Sequence, residues 1–169
     1  MDFSQLVRNR YSVRAYKPDP VGEDQLRQVL EAARLAPTAN NQQPFQLIVI
    51  QTQGREEELQ RIYNRDWFVG APVVICACGI PGGAWIREDK KNYAVVDVAI
   101  VMDHLILAAT DLGLGTCWVG AFNEQATREI LGLPDGVEPI AFTPLGYPAD
   151  QPKPKARKPL EELVRYERW

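Results

Sequence analysis

The sequence has few of the residues that build metal centres, disulfide frameworks and catalytic triads. Its 169 residues include three cysteines and one histidine. An odd cysteine count does not indicate a disulfide framework, so we predict buried structural thiols and a reducing cytoplasm. A metal site would need more ligands than the chain offers, and we predict none. His104 is the one histidine available for a serine triad, and we predict a hydrogen-bonded structural role for it.

Excess basic charge and long hydrophobic runs are also missing. The formal net charge is -3, which argues against nucleic-acid and membrane-surface partners. The longest apolar runs are too short to span a bilayer, and Asp97 and Asp103 interrupt the longest of the helical patterns. Residues 1–5 show no signal-peptide character. We predict one domain, residues 1–169, with no nucleic-acid or membrane partner.

Three common nucleotide and hydrolase motifs are absent. The chain has no GxxxxGK[ST] and no GxSxG, which excludes a P-loop and a nucleophile elbow. Gly113-x-Gly115 is followed by Trp118, where the dinucleotide-binding fingerprint needs a small residue. The sequence therefore also excludes a Rossmann nucleotide site.

The stretch 94–122 contains an apolar helix followed by a glycine-rich exit. Its apolar positions recur at steps of three and four: Val95, Val98, Ala99, Met102, Leu105, Ile106 and Ala109. Ile100, Val101 and Leu107 fall outside that stripe, so the helix must be covered on most sides, by its own domain or by a second copy. Gly113 and Gly115 are predicted to supply the positive-φ positions of a C-cap. Residues 116–121 are predicted to form a strand or tight turn.

Helices and strands are predicted to alternate along the rest of the chain. The helices are predicted at 2–9, 23–35, 54–63 and 124–131, and the strands at 45–51, 73–78 and 139–146. Residues 45–51 alternate poorly, which is typical of a strand buried on both faces. A proline- and lysine-rich tail, 148–159, leads to an amphipathic piece at 160–169. This order predicts an α/β or α+β fold with one sheet flanked by helices.

Three polar clusters have the chemistry of a binding site, although each alone is more typical of a solvated surface or a turn. Arg10, Ser12 and Arg14 can offer charge-assisted donors to a phosphate. The amides of residues 36–45 can both donate and accept at the edge of a heteroaromatic ring, or form only an Asx-rich turn. The tail carries Lys153, Lys155, Arg157 and Lys158, and in an extended chain Lys155 and Arg157 point the same way.

Taken in order, these segments resemble the nitroreductase family of FMN-dependent NAD(P)H oxidoreductases. Residues 10–14 (RYSVR) are similar to the family's RxSxR, and residues 36–45 (APTANNQQPF) to its APSxxNxQPW. Residues 97–120 are similar to its central helix with GLGTCWxG, and residues 146–160 to its GYP…KxRxPL ending. Four motifs in register over nearly the whole chain are much more specific than any one of them.

The resemblance implies the fold, the cofactor and the partners. The fold would be α+β (an α/β sandwich), with a central, mostly antiparallel sheet flanked by helices. Two chains would intertwine as a homodimer with FMN in the interface. The flavin would pass a hydride from NAD(P)H to a small acceptor, such as a nitroaromatic or a quinone, without a catalytic side chain. The same fold also allows a flavin-binding module with little turnover, or a specialised dehalogenase or flavin-cleaving enzyme.

The resemblance also implies which residues hold the flavin. Arg10, Arg14, Lys155 and Arg157 would bind the phosphate, and Ser12 would lie nearby. Asn41 would bond the isoalloxazine, and the backbone of Val119 and Gly120 would face it. Pro37, Thr38 and Ala39 would reach the flavin of the other subunit. The full predicted set is Arg10, Tyr11, Ser12, Arg14, Pro37, Thr38, Ala39, Asn41, Val119, Gly120, Lys155 and Arg157.

The sequence departs from the family pattern at three places. Asn40 replaces the usual small residue, and Phe45 replaces the commoner tryptophan. The connection 79–92 is short where many relatives insert a helical lid. Trp85 in that connection either caps the flavin pocket or closes a surface gap. The short connection leaves the acceptor and the choice of nicotinamide open.

Overall fold

Strand β2 is the centre of the computed structural model, which describes residues 1–169. The helices are α1 (Phe3–Asn9), α2 (Glu23–Arg34), α3 (Glu56–Ile62), α4 (Asp66–Val69), α5 (Ala94–Asp111), α6 (Glu124–Leu131) and α7 (Leu160–Leu163). The strands are β1 (Phe45–Gln51), β2 (Val73–Gly79), β3 (Gly115–Thr116) and β4 (Glu138–Gly146). Two 3-10 turns, Ala39–Asn41 and Pro81–Gly83, lie in the connections.

The four strands form one antiparallel sheet in the order β1-β2-β4-β3. Every residue of β2 is buried, because strands flank it on both sides and helices cover both faces. Residues 45–51 form the edge strand β1, which packs on a core at both faces, as predicted: Leu47 and Val49 on one face, Ile48 and Ile50 on the other. The burial is less complete than expected, because Ile50 alone is fully buried. An edge strand has a neighbour on one side only, so its other apolar side chains remain partly exposed.

A hydrophobic core lies on each face of the sheet. On one face, α2 and α5 pack against β2 and β4 through residues such as Val29, Met102 and Leu145. On the other face, α3, α4 and α6 enclose Phe68 and Phe142. These two rings meet edge to face at 5.9 Å, a favourable aromatic geometry. The predicted α+β architecture, with an antiparallel sheet flanked by helices, is confirmed.

Helix α5 is buried along one side and exposed at its start. Val98, Met102 and Leu105 have no solvent exposure, whereas Val95 and Val96 remain 53% and 37% exposed. The chain therefore covers most of this apolar helix but leaves Val95 and Val96 of its first turn open to solvent. Gly113 ends the helix in the left-handed region at φ 74°, as predicted for a C-cap.

Gly115 does not serve the helix cap as predicted, because its φ is not positive. It is needed for packing instead. A Cβ at this position would lie 2.6 Å from Cγ2 of the buried Val13. Because glycine has no side chain, residues 12 and 13 can run beside β3, where the Val13 N–H donates to the Thr116 carbonyl at 2.9 Å.

The chain beyond β4 lies largely on the surface. Only Leu160–Leu163 of the predicted amphipathic piece 160–169 is helical. Leu160, Leu163, Tyr166 and Trp169 are all exposed, so one chain gives this segment no apolar surface to pack on. None of the helices is both long enough and apolar enough to cross a membrane.

All three cysteines are free and buried, as predicted. Cys76 and Cys78 lie two residues apart on β2, with their Sγ atoms 3.6 Å apart. The hydrogen bond with Cys78 and burial both raise the pKa of the Cys76 thiol. His104 has the predicted structural role, since its Nδ1 lies 3.1 Å from the Ile100 carbonyl oxygen one turn earlier.

Candidate functional site

A cationic cavity of about 310 Å³ forms where residues 10–14 meet residues 150–157. Its lining residues are Arg10, Tyr11, Ser12, Arg14, Asp150, Gln151, Lys153, Lys155 and Arg157. Six of the predicted site residues are therefore brought together, although nearly 140 positions separate the two segments along the chain. The tail crosses back to the N-terminal segment because the Ala149 N–H donates to the Ala15 carbonyl at 2.8 Å.

The charges of this cationic cavity are not balanced by the protein. Five of its lining residues are cations and one is a carboxylate, Asp150. None of the five forms a salt bridge, whereas six other arginines and lysines in the chain do. Burial and the like charges of Arg10 and Arg157 lower the pKa of the Lys155 ammonium. An anion bound here would stabilise all of these cations.

Asp150 organises the cationic cavity, and the sequence interpretation missed it. Its Oδ2 accepts the Arg14 backbone N–H at 2.8 Å, and its Oδ1 accepts the Tyr11 hydroxyl at 3.1 Å. Burial and this hydrogen bond raise the pKa of the Tyr11 hydroxyl. The carboxylate thus fixes the tail against the N-terminal segment. Its signal in the sequence was an acidic residue two positions after Pro148, at the start of a basic tail.

Replacing Asp150 by alanine is expected to weaken FMN binding about tenfold, because a charge-assisted hydrogen bond contributes about 1.5–3 kcal/mol. The matched variant, Asp150→Asn, keeps an acceptor for the Arg14 N–H and removes a negative charge from the cationic cavity. We expect it to bind FMN at least as tightly as the wild type. Quenching of FMN fluorescence measures both affinities. If Asp150→Ala bound FMN more tightly, charge repulsion would outweigh positioning, and the prediction would be wrong.

A smaller cavity of about 170 Å³ continues from Arg10, Tyr11 and Ser12 toward β3. Its other lining residues are Asp103, Ile106, Thr116 and Trp118. The segment after β3 borders this cavity, and its backbone donors differ in availability. The N–H and the carbonyl of Val119 are both bonded to Phe142, at 2.8 and 2.9 Å. Of the two predicted backbone positions, Gly120 alone keeps an N–H without a protein partner.

The amide-rich loop, residues 36–45, lies elsewhere, at the start of α5. None of Pro37, Thr38, Ala39 and Asn41 lines the cationic cavity or its continuation. Asn41 is exposed, and its side-chain amide makes no hydrogen bond within the chain. Each chain therefore carries two separate groups of predicted site residues.

The amide-rich loop has a strained backbone, and one buried carboxylate holds it in place. Asn40, Asn41 and Gln43 all adopt left-handed conformations, with φ between 53° and 55°, which is costly for residues other than glycine. The Ala39 N–H donates to Oδ1 of Asp97 at 2.9 Å. Asp97 is 1% exposed, and its Oδ2 is the one buried side-chain oxygen or nitrogen without a hydrogen bond.

Trp85 packs on the start of α5 and not on the cavities. Its ring meets that of Tyr93 edge to face at 4.9 Å. The guanidinium of Arg87 bonds the Tyr93 hydroxyl at 2.9 Å and completes this cluster. Within one chain, Trp85 lies against Tyr93 and lines neither cavity, and its capping of a flavin stays a prediction.

The fold and the site together define an α+β protein in which the two ends of the chain form a cationic cavity suited to an anion. The chain belongs to the nitroreductase family. The sequence model described as "Nitroreductase family" matches residues 7–67 and 55–147. Members are FMN-dependent oxidoreductases, so the predicted family, enzyme class and cofactor are confirmed. The donor set fits this cofactor, because unpaired cations around a cavity suit the phosphate of FMN.

Several known proteins are similar over most of the chain. A nitroreductase family protein from Clostridium difficile 630 has a TM-score of 0.93 and 40% identity, with both chains fully covered. An FMN reductase [NAD(P)H] from Bacillus subtilis is 31% identical over 94% of this chain and 70% of its own length. An NADH dehydrogenase from Thermus thermophilus is 30% identical over 97% of this chain and 95% of its own length.

Proposed function

We propose that this protein is a homodimeric FMN-dependent oxidoreductase that transfers a hydride from NADH or NADPH to a small acceptor such as a nitroaromatic or a quinone. The cationic cavity, built from residues 10–14 and 150–157, is the observation that carries the proposal. It matches a phosphate in charge and donor type, and it continues toward the GLGTCW segment at β3. Two relatives, named FMN reductase [NAD(P)H] and NADPH-dependent oxidoreductase, support a nicotinamide dinucleotide as the hydride donor.

The residues have distinct roles in this proposal. Arg10, Arg14, Lys155 and Arg157 bind the phosphate, and Ser12 lies beside it. The free N–H of Gly120 and the free amide of Asn41 are donors suited to the polar edge of the ring. Bound FMN supplies a ring that accepts a hydride and passes electrons onward. Donors and cations near that ring stabilise the negative charge that reduction adds, and solvent supplies the proton.

A second copy of the chain would complete the site. Pro37, Thr38 and Ala39 lie away from the cationic cavity of their own chain, as expected if they contact the flavin of the other subunit. Apolar side chains exposed on one chain support the same arrangement: Phe3, Val7, Val95, Val96, Leu160 and Leu163. Burying such surface is the usual drive for obligate dimers. The three free cysteines are compatible with a reducing compartment, and we propose the cytoplasm.

An anaerobic absorbance spectrum of the purified protein tests the proposal directly. We expect a yellow protein whose flavin band is bleached by NADH or NADPH and restored by a nitroaromatic or a quinone. Sedimentation should give twice the mass of one chain. Bound FMN that neither nicotinamide reduces would contradict the proposal and would support a flavin-binding module. Reduction without transfer to either acceptor class would instead support a specialised flavoenzyme.

A further inference from the structure

A second cationic cavity, of about 530 Å³, adjoins the first on the side of α1. Its lining residues are Arg8, Asn9, Tyr11, Pro152, Lys153 and Lys155. Three of them are cations, and none is a carboxylate. The two cavities share Tyr11, Lys153 and Lys155, so an anion in one lies next to an anion in the other. Arg8 belongs to the outer cavity alone.

The phosphate of FMN does not account for all of these cations. A phosphate monoester carries at most about two negative charges near neutral pH. Arg10, Arg14 and Arg157 do not line the outer cavity, and with the carboxylate of Asp150 they already balance that charge without Arg8 or Lys153. Arg8 and Lys153 form no salt bridge with any carboxylate of the chain. With FMN bound, the outer cavity therefore remains positive and free of a counter-ion.

We propose that Arg8 and Lys153 form a second phosphate subsite, which binds a phosphate group of the nicotinamide dinucleotide. The proposal rests on the proposed function, because it needs FMN in the inner cavity and a dinucleotide as the hydride donor. Such a donor carries a pyrophosphate in both of its forms, and NADPH carries an additional 2′-phosphate. Arginine recognises either group through two parallel hydrogen bonds, and lysine does so as a point charge.

The surface position of the subsite agrees with the behaviour of the donor. Arg8 and Lys153 are exposed, and a donor that must leave after each turnover needs a site open to solvent. Lys155 is instead held by the backbone carbonyls of Arg8 and Arg10. This contact fixes the tail beside the last turn of α1.

Calorimetric titration of the FMN-loaded protein with 2′,5′-ADP and with 5′-ADP tests the subsite without turnover. The first probe carries the 2′-phosphate of NADPH, and the second carries the pyrophosphate common to both donors. In the Arg8→Gln variant, we expect affinity for at least one probe to fall about tenfold, the loss of one charge-assisted hydrogen bond. Loss for 2′,5′-ADP alone identifies the 2′-phosphate, and loss for 5′-ADP identifies the pyrophosphate.

Two further measurements keep the outcome unambiguous. FMN affinity should change less than about twofold in Arg8→Gln, because Arg8 does not line the inner cavity and the lost hydrogen bond is one to the dinucleotide. The matched control, Arg27→Gln, removes an exposed cation from α2 and should leave both probe affinities unchanged. Unchanged probe affinity in Arg8→Gln, or an equal loss of FMN affinity, would overturn the subsite alone. A wild-type protein that does not take up FMN would overturn the proposed function as well.

Discussion

Replacing Arg10 and Arg157 together by glutamine is expected to weaken FMN binding about a hundredfold. Each arginine lines the cationic cavity without a carboxylate partner. A charge-assisted hydrogen bond contributes about 1.5–3 kcal/mol, and these partly exposed groups should lie at the lower end, about tenfold each. Fluorescence titration with FMN measures the loss. Because the contact is ionic, the wild-type affinity should also fall with added salt.

Riboflavin provides the internal control for this experiment, because it has the same ring as FMN but no phosphate. Its affinity should be nearly the same in the wild type and in the double variant. Arg27→Gln combined with Arg61→Gln removes the same charge at exposed sites on α2 and α3, and should leave FMN binding intact. If riboflavin lost affinity as strongly as FMN, the two arginines would act on the ring or on the fold, and not on the phosphate.

Replacing Gly115 by alanine is expected to destabilise the protein by about 1–3 kcal/mol, the usual cost of overpacking a core. The new Cβ would lie 2.6 Å from Cγ2 of Val13 and 2.9 Å from its Cβ. Val13 is 1% exposed, so it is enclosed by the protein and cannot move into solvent. Its neighbours Ser12 and Arg14 line the cationic cavity, so FMN affinity should fall together with stability. Urea unfolding and FMN titration measure the two effects.

Two further variants separate this clash from a general effect of losing a glycine. Gly82→Ala adds the same methyl group where no heavy atom lies within 4 Å, and should leave stability unchanged. Val13→Ala removes both Cγ atoms that Gly115→Ala would meet. The double variant should therefore be less destabilised than the sum of the single variants, which is the signature of direct contact. Strict additivity would mean that Gly115 acts through its backbone and not through Val13.

The elements that the sequence predicted best are those with a strong local pattern. Strand β1 and helix α6 have the predicted bounds, Phe45–Gln51 and Glu124–Leu131. Helix α6 also begins at a capping asparagine, Asn123, whose side chain accepts the Ala126 N–H at 3.0 Å, and it ends at a glycine with φ 62°. Such caps act over a few residues, so they can be recognised without the fold.

The predictions that failed concern position within the fold. Burial of β1 was overestimated because an apolar run does not reveal whether a strand is central or at an edge. The function of Gly115 was assigned to a helix cap because its close contact with Val13 joins residues about a hundred positions apart. Asp150 was overlooked for the same reason, since its partners Tyr11 and Arg14 come from the other end of the chain.

The sequence by itself determined the family, the order of helices and strands, and the chemical types that can bind a phosphate and a ring. These properties follow from local patterns and from motifs in register. The resemblance implied that the two basic segments meet, and the structure brings them into one cavity. Only the tertiary structure decided that Asp150 fixes them together and that the Val119 backbone pairs with Phe142 of the sheet. Long-range hydrogen bonds and close packing decide such matters, because they depend on which distant residues the sheet brings into contact.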